Sequence, residues 1–153
     1  MAADNWKRYN KFPEYMGDGS MDMDNDTFNL ALFLSTSNCA TLTHDDYGDL
    51  TNEHANQYGY TTGGQALDSV TWTESSGTIT LDSANEVFTA SGGPITCRFG
   101  VIYDDTMSSP VADGLVCYSL LDNTPADVTA TDGNTLTVAM HASGIITVSA
   151  GQS

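Results

Sequence analysis

Between Ile95 and Asp105 the sequence ITCRFGVIYDD places Ile95, Cys97, Phe99, Val101 and Tyr103 at alternate positions, with Thr96, Arg98, Gly100 and Ile102 between them. A period of two is that of a β-strand, whose successive side chains point to opposite faces, and it does not fit a helical turn of 3.6 residues. The same alternation recurs from Thr27, where Phe28, Leu30, Leu32 and Leu34 alternate with Asn29, Ala31 and Phe33. Val70 and Trp72 share a face, Ser75-Ser76-Gly77 reverses the chain, and Ile79 and Leu81 return, which predicts a hairpin. A short strand is expected around Val87 and Phe88, and another from Leu115 to Leu121. Leu136, Val138 and Met140 alternate before a turn at His141 to Gly144, and Ile146 and Val148 form a closing strand. Some seven or eight short strands separated by turns predict an all-β fold, an antiparallel β-sandwich or flattened barrel.

A chain of 153 residues is the size of one domain and buries one proper core. The sequence divides into an extended N-terminal arm over residues 1–26 and a β-sandwich domain over residues 27–153. The arm has no strand or helix period; it carries Trp6, Tyr9, Phe12 and Tyr15 and then a Gly- and Asp-rich tract, MGDGSMDMDND. The polar stretch 41–58 holds the one short helix expected, near residues 50–57, with Asp49 or Thr51 as its cap. The core is expected to include Leu30, Leu32, Phe99, Val101 and Val138.

The net charge is −16, from 20 acidic residues against four Lys and Arg. Three of those four cations, Lys7, Arg8 and Lys11, lie in the first eleven residues; with Asp4 set against them that segment carries +2, which leaves −18 for the rest. Such a body repels phosphate backbones and anionic lipid, so nucleic acid and membrane are not expected partners. Its natural partners are cations and basic protein surfaces. The cysteines, Cys39, Cys97 and Cys117, are odd in number and lack C-x-x-C spacing, so buried free thiols are expected. The opening has no apolar signal region and no stretch is apolar enough to span a membrane.

No catalytic constellation stands out. There is no G-x-S-x-G, no Walker A and no H-E-x-x-H, so no enzyme activity and no cofactor is expected. Asp18, Asp22, Asp24 and Asp26 fail the calcium-loop pattern, because Thr27 stands where the sharp turn needs glycine and no glutamate closes the loop. His44 with Asp45, Asp46 and His54 lacks a third histidine for zinc. No tightly held metal is expected. Arg98, the sole cation beyond the first eleven residues, is expected to form an ion pair that fixes strand register.

The opening YNKFPEYMGDGSMDMDNDTFNLALFLS, the central YGYTTGGQAL, the segment FTASGGPITCRFGVIYDD and the closing TLTVAMHASGIITVSAG together resemble small virion proteins of tailed bacteriophages, of the capsid decoration or cement type. The resemblance implies a structural protein, assembled in the host cytoplasm and localised to the virion, bound to the major capsid protein and to neighbouring copies of itself as a homo-oligomer. A tail- or fibre-associated receptor- or glycan-binding module is the alternative. On this reading Trp6, Lys7, Arg8, Tyr9, Lys11, Phe12 and Tyr15 form the protein-binding arm, the aromatics as anchors and the cations as orienting charges. Deleting residues 1–16 is then expected to leave a folded body that no longer attaches.

Overall fold

Leu30 and Leu32 are buried on one side of a strand and Ala31 and Phe33 on the other, so this strand is a central one with a core on each face. A computed structural model describes residues 4–151 and places twelve strands among them. They are β1 (Lys7–Arg8), β2 (Phe28–Phe33), β3 (Gln65–Ala66), β4 (Thr71–Ser75), β5 (Thr78–Asp82), β6 (Glu86–Thr89), β7 (Ile95–Cys97), β8 (Phe99–Asp104), β9 (Leu115–Leu120), β10 (Val128–Ala130), β11 (Thr135–Val138) and β12 (Ile146–Ser149). All pairings are antiparallel. The fold is all-β and sandwich-like, with more strands than the seven or eight expected because several are only two to four residues long.

The largest sheet has the order β1-β9-β8-β2-β3, and three smaller ones are β12-β5-β4, β11-β6 and β10-β7. On one face of the large sheet, Phe28, Leu30, Leu32, Ile102 and Cys117 share a core with Leu81, Phe88, Ile95, Leu136, Val138 and Ile146 of the smaller sheets. The opposite face, with Ala31, Phe33, Val101, Tyr103 and Tyr118, is covered by Tyr9, Cys39, Tyr47 and Leu50. The predicted hairpin is present: Ser75 pairs with Thr78, and Ser76 (φ 53°) and Gly77 (φ 81°) form a two-residue turn. Positive φ at both central residues matches the right-handed twist of the flanking strands. Leu30, Leu32, Val101 and Val138 are buried as expected, whereas Phe99 is only half-buried.

The long alternating segment is two strands. The chain changes sheets at Arg98, whose amide donates to the Phe33 carbonyl and whose carbonyl accepts from Leu121 N. Ile95 and Cys97 therefore enter one core and Phe99, Val101 and Tyr103 the other. The Arg98 Nε contacts Asp127 Oδ1 at 2.9 Å. Asp127 immediately precedes β10, whose Val128 pairs with Cys97, so the ion pair sits beside the register it was expected to fix.

The helix lies elsewhere than expected. Residues 50–57 carry none; a 3₁₀ turn at Tyr47–Asp49 precedes them, Glu53 bridges to Phe33, and His54 N donates to Leu32 O. The α-helix α1 spans Phe12–Asp18, started by Pro13 in its first turn and ended by Gly19 at φ 80°. Phe12 and Tyr15, three apart, are its buried face.

The extended arm also needs correction. Lys7 and Arg8 pair with Tyr118 and Cys117 at the edge of the large sheet, and Tyr9, Phe12, Tyr15, Met21 and Met23 are buried. Residues 4–26 are thus part of the same body as the strands. No helix among the described residues is long and apolar enough to cross a membrane.

Candidate protein-binding groove

The seven residues assigned to protein binding divide into two groups. Tyr9, Phe12 and Tyr15 are at most 2% exposed and occupied by the chain's own core. Tyr9 donates its hydroxyl to the Cys39 carbonyl at 2.5 Å and its ring lies 5.8 Å from that of Tyr118. Burial pushes its phenol far above the ordinary value. These aromatics do not act as anchors for a neighbour, because the hydrophobic gain they offer is already realised internally.

Lys7, Arg8, Lys11 and part of Trp6 remain accessible. Lys7 Nζ is 3.2 Å from Asp4 and 5.9 Å from the Tyr118 ring centre, and Lys11 Nζ is 2.8 Å from Glu14. Arg98 is held by Asp127. Among the described residues, Arg8 is the one of the four Lys and Arg residues without a carboxylate partner.

Arg8 lines a cavity of about 320 Å³ together with Asn5 and Trp6 from the start of the chain and His141, Ile145 and Thr147 from its end. A second recess of about 350 Å³ shares Arg8 and Thr147 and continues past Val148 to Ser149. Together they form a groove between β1, the edge of the large sheet, and β12, the edge of the three-stranded sheet. The exposed His141 at its upper end accepts the Ser143 amide on Nδ1 at 3.1 Å, which fixes the turn before β12.

A second cleft, of about 350 Å³, is lined by Met16, Met21, Met23, Asp22, Asp24 and the half-buried Trp72. The Asp22 carboxylate there accepts from Asn25 Nδ2 at 2.9 Å and from Asp24 N at 3.0 Å, and these bonds hold it below the ordinary carboxylate range. Asp18 similarly accepts Ser20 N, and Asp26 accepts Asp22 N. The acidic tract thus stabilises its own turns.

Among the described residues no group of three or more His, Cys, Asp or Glu is placed to hold a metal ion. His44 Nδ1 lies 3.7 Å from Asp49. All three cysteines are free and buried, and burial pushes Cys39 up to about 11 and Cys97 up to about 12, away from thiolate chemistry. Three acidic residues with buried or shared carboxylates escaped the sequence reading. Glu86 accepts Gln65 Nε2 and Asp68 N, Glu53 gathers two tyrosines, and Asp104 is fully buried. Glu86 and Asp104 each adjoin an apolar strand residue, a signal that many of the 20 acids share, and Glu53, between Asn52 and His54, has none.

Compared with protein-family models, with curated proteins and with solved structures, the chain matches none.

Proposed function

We propose that the chain is a structural virion protein of the phage capsid decoration type, which binds the major capsid protein and neighbouring copies of itself and is not an enzyme. The observation that supports this reading most is the grouping of three of the four Lys and Arg residues, Lys7 and Arg8 on the edge strand β1 and Lys11 just before α1, in a protein whose net charge is −16. Such a charge pattern orients a protein on its partner and repels nucleic acid and anionic lipid. A sheet with a core on each face is a stiff platform for that edge, since neither face can shift without disturbing packed side chains. The test is co-sedimentation of the purified chain with capsids of the phage that carries its gene, followed by labelling of intact particles. Many copies spread over the shell support decoration; copies confined to the tail, or none, overturn it.

The Trp72 cleft favours a second reading, a glycan-binding module of the tail or fibre, because a tryptophan beside carboxylates supplies both an apolar platform and hydrogen-bond acceptors for a sugar. Binding to a glycan array that Trp72→Ala abolishes is the outcome that would favour it.

A further inference from the structure

We propose that the groove between β1 and β12 is a binding site for an extended segment of a partner protein, which adds as a strand and presents one carboxylate side chain to Arg8. This rests on the reading of the chain as a protein-binding structural component and names the site and the kind of segment it takes.

Shape is the first argument. The two recesses share Arg8 and Thr147 and run the length of β12, so the space is elongated along a strand rather than rounded. β12 is bonded to β5 on one side only and β1 to β9 on one side only. Two sheet edges therefore border one groove, with no strand between them among the described residues. Edge strands offer unpaired backbone donors and acceptors, and an incoming strand satisfies them. Trp6 and Ile145 add apolar wall for the alternate side chains of such a segment.

Charge is the second argument. Arg8 is exposed, unpaired among the described residues, and common to both recesses. A guanidinium at a groove edge is suited to a carboxylate, which it can bind with two parallel hydrogen bonds. The overall charge of −16 repels a polyacidic tail, so the favoured segment carries a single Asp or Glu among neutral or basic residues.

The experiment selects a random displayed peptide library on the full-length purified chain at low salt and maps the binders by amide NMR. Binders are expected to combine β-forming residues with one Asp or Glu, and to perturb the amides of Lys7–Arg8 and Ile146–Ser149. Arg8→Gln should weaken them about tenfold, with Arg8→Lys intermediate, as loss of a charge-assisted pair requires. Replacing the peptide's acid by its amide should cost the same and add nothing to Arg8→Gln. Arg8 is exposed, so these variants keep the fold, checked by near-UV circular dichroism. No binders, binders lacking a carboxylate, perturbation elsewhere, or indifference to Arg8→Gln would each overturn the proposal. Peptide binding in the groove without attachment to particles would instead count against the capsid role alone.

Discussion

Tyr60 donates its hydroxyl to the Glu53 carboxylate at 2.6 Å and accepts the Leu32 amide at 2.9 Å, so one phenol ties the loop after β2 to β2 itself. Glu53 also accepts from the Tyr47 hydroxyl and from Gly63 N at 2.7 Å, and Tyr103 donates to the Gly63 carbonyl at 2.8 Å. This network fastens residues 47–63 to β2 and to Tyr103 of β8. Burial and the adjacent carboxylate push both phenols far above their ordinary value, so they stay neutral donors.

Replacing Tyr60 by Phe leaves the ring packed on Phe88, 5.8 Å away, but removes the acceptor for the Leu32 amide and a donor to Glu53. A buried amide left unpaired costs about 1–3 kcal/mol. Denaturant unfolding of Tyr60→Phe should show a loss of that size with an unchanged slope. A loss within error would mean that the loop holds without the network.

Asp104 makes stability depend on pH. Its carboxyl is fully buried; Oδ1 accepts Thr106 N at 2.8 Å and Met107 N at 3.1 Å, while Oδ2 has no partner. Burial, and then the neighbouring Asp26 carboxyl, push the Asp104 carboxyl up to about 7 from the ordinary 3.8. The folded protein therefore keeps a proton that the unfolded chain has released, and its stability falls as pH rises from 3.8 to about 7, then levels off. Asp104→Asn retains the acceptor for both amides and should flatten that slope. Melting temperatures of both proteins across the window check this, and parallel profiles would contradict it.

What the sequence made legible was whatever has a period. β2, β8, β9 and the β4–β5 hairpin announce themselves because four or more residues alternate, and the Ser76-Gly77 turn needs positive φ. The region before residue 26 was misread because it is built from a two-residue strand, a seven-residue helix and a turn, each too short for any periodicity to appear. Its aromatics looked like anchors for a partner, whereas Tyr9, Phe12 and Tyr15 are buried in the chain's own core. The groove was invisible for a different reason. It joins Arg8 to Thr147 across nearly the whole chain, and no local pattern reports that two sheet edges meet.

The burial of Phe12 reverses the expectation for truncation. Its side chain is fully inside the main core, beside Tyr15 and packed with residues of the large sheet. Phe12→Ala should cost about 3–5 kcal/mol, and deletion of residues 1–16 should yield a chain that is aggregated or partly unfolded. Guanidinium unfolding of the point variant and size-exclusion of the deletion test this. A deletion that stayed monomeric and as stable as the full chain would show that the remaining strands fold without their N-terminal cover.

Two glycines separate backbone strain from steric exclusion. Gly133 has φ 80° with nothing within 4 Å of the position a Cβ would take, so Gly133→Ala meets only the left-handed conformational penalty, roughly 1–2 kcal/mol. Gly64 has a similar φ of 76°, but a Cβ there would lie 1.8 Å from the Leu30 carbonyl oxygen and 2.8 Å from Ala31 Cα. Both obstacles are backbone atoms of β2, which is fixed by its pairing with β8 and by cores on both faces. Neither can step aside like a flexible side chain, so the β2–β3 approach must open. Gly64→Ala should therefore lose more than Gly133→Ala by on the order of 2 kcal/mol or more, and expose the Leu30 and Gln65 amides to hydrogen exchange. Equal losses in the two variants would show that the chain before β3 yields without disturbing the central sheet.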